Sequence, residues 1–157
     1  MSLCFLLDGY NILKKIPQIT DYKIKEDRPS FINFISRFHP QGRNKAIIIF
    51  DGYGDEQLKY VKIDVLFSKD ISADNYIVKM LGKKGKKCYY CVVTDDRQLQ
   101  FRAKNSEAKV LSVGDFLNPV FKRMKAGGRK MHQEKINEYS KEAQEIKKEL
   151  ERIWLKK

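Results

Sequence analysis

A set of aspartates carries the chemistry open to this chain, because each stands where an apolar run ends or a helix-like stretch begins. Asp8 follows LCFLL, Asp51 follows AIIIF, Asp95 and Asp96 follow CVVT, and Asp74 lies in SADNYIVKML. In an open parallel α/β sheet the carboxyl ends of the strands share one edge, so acids placed there converge although the sequence separates them. Carboxylates gathered without a matching set of His or Cys are hard oxygen ligands. They suit Mg²⁺ or Mn²⁺, the ions of phosphate chemistry. Each acid also has a plain structural role open to it. Asp8 and Asp51 precede glycines and could close turns. Asp74 follows Ser72 and is favourable in a first helical turn, and Asp95 or Asp96 could cap a helix. One shared cause accounts for so many acids at one edge better than separate turns and caps do. Asn11, shortly after Asp8, would add an amide, with Gly9 letting the chain turn sharply off the first strand.

The elements that must position these acids alternate between β-rich runs and segments of helical period, the pattern of βαβ units. Strands are expected near 3–7, 45–50, 60–67, 88–94 and 108–112, and helices near 28–38, 72–82, 96–104 and 114–125, the last bent or restarted at Pro119. The fold class is α/β: a three-layer α/β/α arrangement around a central, mostly parallel sheet of about five strands, plus a C-terminal helix. In YVKIDVLF, alternation places Val61, Ile63, Val65 and Phe67 on one face, as in an edge strand with one side less covered. Gly127-Gly128 reads as a breakpoint, dividing a domain over 1–126 from a basic helix over 127–157. Beyond it Ile136, Tyr139, Ala143, Ile146, Leu150 and Ile153 form a narrow seam. The seam is short for an independent coiled coil, so it docks on the body or pairs weakly with a second copy, giving a monomer or a weak homodimer.

The chain of 157 residues carries a formal net charge of +12, which calls for a polyanionic partner, most plausibly nucleic acid. An acidic pocket in a basic protein is what a nuclease needs. Cys4, Cys88 and Cys91 lie in apolar runs, which favours a reducing compartment. Cys88 and Cys91 have metal-site spacing, yet residues three apart on a strand face opposite ways, so they read as core. His39 and His132 are isolated. No apolar run approaches the ~20 residues of a membrane span, and the N-terminus lacks a secretory pattern; a cytoplasmic location without membrane contact is expected.

The motifs DGYN after the first strand, FDG after the second, SxDxSAD leading into a helix and VTDDRQLQ after a late strand occur in that order. With Pro17 and the segment VLSVGDFL they span Leu3 to Leu117. In this the chain resembles the YacP-like branch of the NYN domains. The resemblance implies a PIN-like fold and a metal-dependent ribonuclease that hydrolyses RNA phosphodiester bonds, with endonucleolytic cleavage of single-stranded RNA as the expectation. It marks Asp8, Asn11, Asp51, Asp74 and Asp96 as the metal-holding site. Asp8, Asp74 and Asp96 would be catalytic, with Asp51 a further ligand or, like Asn11, acting through water. Where the family usually has threonine-serine-aspartate, this chain has Thr94-Asp95-Asp96; Asp96 is the favoured ligand and Asp95 the alternative. Ile71 stands where a glutamate is common, and the loop before Ala73 is one residue shorter. The motifs do not reach residues 127–157.

Lys69 and Arg97, each beside a motif, could touch flanking phosphates, and Tyr10 or Tyr53 could stack on an unpaired base. The ribosome is one open platform for presenting the RNA. Two other readings compete. A non-catalytic RNA-binding module would keep the fold and the charge without binding metal. A phosphatase of the haloacid dehalogenase type shares an acid after the first strand, but needs a second acid two residues on, where this chain has Tyr10.

Overall fold

The computed structural model describes residues 2–20, 22–54, 60–83 and 88–130. In chain order the elements are β1 (Ser2–Asp8), α1 (Gly9–Ile19), α2 (Arg28–Phe38), β2 (Lys45–Phe50), β3 (Ile63–Phe67), α3 (Ala73–Leu81), β4 (Cys88–Val93), α4 (Arg97–Asn105), β5 (Lys109–Leu111) and α5 (Val113–Lys130). The five strands form one sheet in the order β3-β2-β1-β4-β5. Every neighbouring pair is parallel. The sheet is thus wholly parallel, and β3 takes the edge position expected of it.

Central strands of such a sheet are covered on both faces, so their side chains are apolar without a break. Leu6, Leu7, Ile48, Ile49, Val92 and Val93 are each fully buried. Phe5, Leu7, Ile48, Phe50 and Val93 pack against α1, α2 and α5 through Ile12, Ile16, Phe31, Ile35, Phe116 and Leu117. Residues one step along, Cys4, Leu6, Ile47, Ile49 and Val92, pack against α3 and α4 through Ile77, Leu81, Leu99 and Ala103. The result is the expected three-layer arrangement. Cys91 belongs to the first of these cores and Cys88 packs against the second, as the period of a strand requires.

Four expectations are corrected. The sequence reading has no helix after Asp8, whereas α1 begins at once. Gly9 reads as a sharp turn off the first strand, yet it is the first helical residue, and Pro17 lies in the last turn, where the helix is about to end. Gly9 is also not needed for a left-handed turn. A Cβ there would come within 2.6 Å of the Phe50 ring and 3.0 Å of the Ile49 carbonyl oxygen, so its smallness lets α1 sit directly against β2. Third, β3 starts at Ile63 rather than near 60. Tyr60 accepts from the Ile63 backbone in a tight turn with Lys62 at φ 62°, and Val61 leaves the shared face to stand 86% exposed. Fourth, α5 runs on through Gly127-Gly128 to Lys130, so the glycines do not end the helix; two mid-helix glycines cost only about 1 kcal/mol each. Pro119 also lies inside α5. The seam from Ile136 to Ile153 lies outside the described residues.

Candidate active site

β1, β2 and β4 end side by side, and the acids sit where they end. Asp8 closes β1 and pairs in register with Ile49 of β2. It is a buried carboxylate, 8% exposed. The Thr94 hydroxyl donates to its Oδ2 at 3.0 Å. Thr94 is itself fully buried, and its own Oγ1 accepts the Asp96 backbone N–H at 3.1 Å. Thr94 therefore ties the end of β1 to the start of α4.

Burial pushes the Asp8 carboxyl up to about 7; the Thr94 hydrogen bond opposes this, and the charges of Asp74, Asp51 and Asp96 reinforce it. Asp74, in the first turn of α3, is also raised. Desolvation is the main cause, followed by the charges of Asp96 and Asp51, against Arg102, while a hydrogen bond with the Asp96 side chain adds to the rise. Asp8 and Asp74 thus both lie in the field of Asp51 and Asp96.

Asp51 and Asp96 each spend one oxygen on structure. Asp51 Oδ1 accepts the backbone N–H of Ala73 at 2.6 Å, meeting a donor that the start of α3 cannot pair internally, while Ser72 caps the same helix through Asn75. Asp96 is the N-cap of α4 and accepts from Leu99 at 3.1 Å. Asp95 faces the other way. Its Oδ1 accepts the Val113 N–H at the start of α5 at 2.9 Å, and its Oδ2 lies 3.5 Å from Lys15 Nζ. The Asn11 Oδ1 accepts the Asp95 backbone N–H at 2.9 Å, so Asn11 positions the loop.

The other residues singled out in the sequence are dispersed. Tyr10 packs its ring 5.1 Å from that of Phe50 and accepts from Arg28 Nε at 2.7 Å, which commits it to the interior of the α1–β2 contact. Tyr53 is 62% exposed, its hydroxyl donating to Asp70. Lys69 is exposed on a left-handed residue whose N–H donates to the Gly52 carbonyl at 2.8 Å. Arg97 is exposed at the first position of α4, directly after Asp96.

Sequence reasoning missed Thr94, Gln100, Arg102 and Arg28. Gln100 Nε2 donates to the Thr94 carbonyl at 2.7 Å, and Arg102 to Asn75 Oδ1 at 3.0 Å. Arg28, first residue of α2, reaches across to the loop after β2. It donates to the carbonyls of Tyr53 at 2.8 Å and Asp51 at 3.1 Å, with its guanidinium 4.8 Å from the centre of the Phe67 ring. The sequence reading places only a helix near 28–38 there; in the structure Asp27 caps that helix by accepting from the Ser30 N–H, and no local pattern marks the reach to Asp51.

The donor type, all carboxylate oxygen with one member buried, is the chemistry that suits a hard divalent cation. Among the described residues no three acids, thiols or imidazoles are grouped closely enough to hold a metal ion. A cavity of about 830 Å³ between the end of α1 and α5, lined by Pro17, Ile19, Tyr22, Phe121 and Met124, lies away from the acids and has no group for this chemistry.

The aspartates at the carboxyl edge of this parallel three-layer α/β domain occupy the crevice where open α/β sheets bind their ligands. The sequence model of the YacP-like NYN domain matches residues 5–157, and the chain belongs to that family, a nuclease family. The match thus continues past Leu117, where the recognisable motifs end. The fold agrees with two crystal structures of Rae1 (YacP) from Bacillus subtilis. One, a W164L mutant, has a TM-score of 0.59 at 23% identity over 98% of this chain and 99% of that one. The other has a TM-score of 0.60 at 22% identity over 98% and 90%. Among the curated proteins compared, none matches. No helix among the described residues is long and apolar enough to cross a membrane.

Proposed function

We propose that the protein is a metal-dependent ribonuclease that cuts single-stranded RNA endonucleolytically, using Asp8, Asp74 and Asp96 with Asp51 beside them. The observation that carries this reading is the convergence of these acids at one sheet edge around the buried Asp8, whose carboxyl burial, with the charges of Asp74, Asp51 and Asp96 adding to it, pushes up to about 7. Membership of a nuclease family agrees with it. Asp8, Asp74, Asp96 and the free oxygen of Asp51 would hold Mg²⁺ or Mn²⁺. Such an ion, when bound, supplies a water of lowered pKa and Lewis acidity toward the phosphoryl oxygens.

The chain's own residues do the rest. Thr94 orients Asp8 and seats the Asp96 backbone. Asn11 holds the neighbouring peptide. The starts of α3 and α4 hold Asp51 and Asp96 in place through their backbone N–H groups, so these carboxylates do not have to be ordered when substrate arrives. The net charge of +12 draws RNA to a basic body that carries these acids at one sheet edge. Tyr10, packed on Phe50 and bonded to Arg28, leaves no second acid where a haloacid dehalogenase-type phosphatase needs one.

The test is cleavage of a labelled single-stranded RNA with Mg²⁺ or Mn²⁺ and with chelator. Cleavage should require the metal and vanish in Asp8→Asn, with the circular dichroism spectrum unchanged. A wild-type protein that binds RNA but neither cleaves it nor gains thermal stability from Mn²⁺ would instead be the non-catalytic module.

A further inference from the structure

Helix α4 buries Leu99 and Ala103 against the sheet. At 100° per residue the opposite side of that helix is the ridge of Arg97, Phe101 and Lys104, spaced i, i+4 and i+7. All three are exposed, and Phe101 is 67% exposed. A phenylalanine on the outermost line of a surface helix contributes nothing to the core, and here it stands between two cations. The ridge also starts at the acids, because Asp96 is the N-cap of this helix. At 1.5 Å rise per residue, Phe101 lies about 7–8 Å along the axis from Asp96. Helical side chains lean toward the N-terminus, so its ring covers the turn nearer the acidic edge.

We infer that the Arg97–Phe101–Lys104 ridge is a binding track for single-stranded RNA, in which an unpaired base stacks on Phe101 while Arg97 and Lys104 meet the phosphates on either side. This rests on the ribonuclease reading and adds to it the form of substrate: a strand with at least one base free to unstack beside the scissile bond. Aromatic rings take any unpaired base by its face, and a paired base in a duplex offers none. The positive end of the α4 dipole and Arg97 lie at the same end of the track, where a phosphate approaching the acids would otherwise be repelled.

The experiment is fluorescence anisotropy of a short labelled single-stranded RNA, and of its duplex, in chelator so that nothing is cut. Phe101→Ala should weaken single-strand binding about tenfold to a hundredfold, the range set by one base–aromatic stack. Phe101→Tyr should restore it and Phe101→Leu should not, and duplex binding should change little. The slope of log affinity against log salt should be unaltered in Phe101→Ala and shallower in the Arg97→Ala, Lys104→Ala double variant, because only the cations release counterions. The melting temperature of Phe101→Ala should match wild type, since the ring has no core contacts to lose. Equal single-strand affinity for wild type and Phe101→Ala, or full rescue by leucine, would overturn the track. If the ridge behaves as described while wild-type protein shows no metal-dependent cleavage, the track stands and the ribonuclease reading falls.

Discussion

The two helical layers meet the acidic edge with different tools. α3 and α4 bring carboxylates: Asp74 lies in the first turn of one and Asp96 caps the other, and the Asp96 charge helps to raise the Asp74 carboxyl. α1 and α2 bring Asn11, Lys15 and Arg28. Asn11 and Arg28 hold the backbone of the loops that carry acids, and Lys15 pairs with Asp95. One layer therefore supplies charge for chemistry and the other supplies position. The adjacent residues Asp95 and Asp96 fall on opposite sides of that division, since Asp95 turns to α1 and α5 and Asp96 to α3 and α4.

The sharpest way to break this division is to change each of those neighbours to serine. Serine is a good N-cap, so Asp96→Ser should keep α4 and the fold while losing cleavage by roughly a thousandfold or more, the scale of removing a metal-ligating charge. Asp95→Ser should keep cleavage within about tenfold and lose about 1 kcal/mol of stability, because it gives up the cap on α5 and the pair with Lys15. Paired rate and urea-unfolding measurements decide the matter. Activity lost at Asp95 and kept at Asp96 would mean that the layers exchange roles.

A second effect belongs to the layer of charge and appears without metal. The Asp8 carboxyl, ordinarily at 3.8, stands at about 7 when folded, so folding favours its protonated form. Below the lower value both states hold the proton and there is no penalty. As pH rises through the window the unfolded chain ionises first, stability falls, and above about 7 the full cost is present, roughly 4 kcal/mol at 1.36 kcal/mol per pH unit. In metal-free buffer Asp8→Asn should therefore be more stable than wild type at pH 8, with the difference vanishing toward pH 4. Adding Mn²⁺ should stabilise wild type and not the variant. Parallel stability curves for the two proteins across this range would show that folding does not raise the Asp8 carboxyl.

What the sequence made legible follows the same division. Strands show as unbroken apolar runs because both faces of the sheet are covered, and an acid ending such a run is visible by contrast; Asp8, Asp51 and the Asp95–Asp96 pair were found this way. Asp74 was found through Ser72 and the helical period after it. The positioning layer left little trace. Thr94 touches Asp8 across 86 positions, Asn11 touches Asp95 across 84, and Arg28 reaches Asp51 across 23. No local pattern encodes such contacts. α1 was hidden for a different reason: Gly9 and Pro17 weaken helix propensity at its ends, and burial of Ile12, Leu13 and Ile16 outweighs that.

The smallest expected effect tests whether the positioning layer acts by geometry or by charge. Arg28 spreads three donors over Tyr10 and the carbonyls of Asp51 and Tyr53, with its guanidinium over the Phe67 ring. Lysine keeps the charge but not the planar fork, and cannot reproduce that set of contacts. These bonds are partly exposed, so Arg28→Lys should cost only about 1–2 kcal/mol in unfolding free energy. Asp51 would then be held less firmly, and cleavage at saturating RNA should fall several-fold while RNA affinity and its salt dependence stay as in wild type. A residue that served as an RNA-binding cation would behave in the opposite way. Lysine would then be tolerated, and Arg28→Ala would weaken binding and flatten its salt slope. In that outcome α2 would supply charge to the substrate rather than shape to the site, and the contrast between the layers would hold for α1 alone.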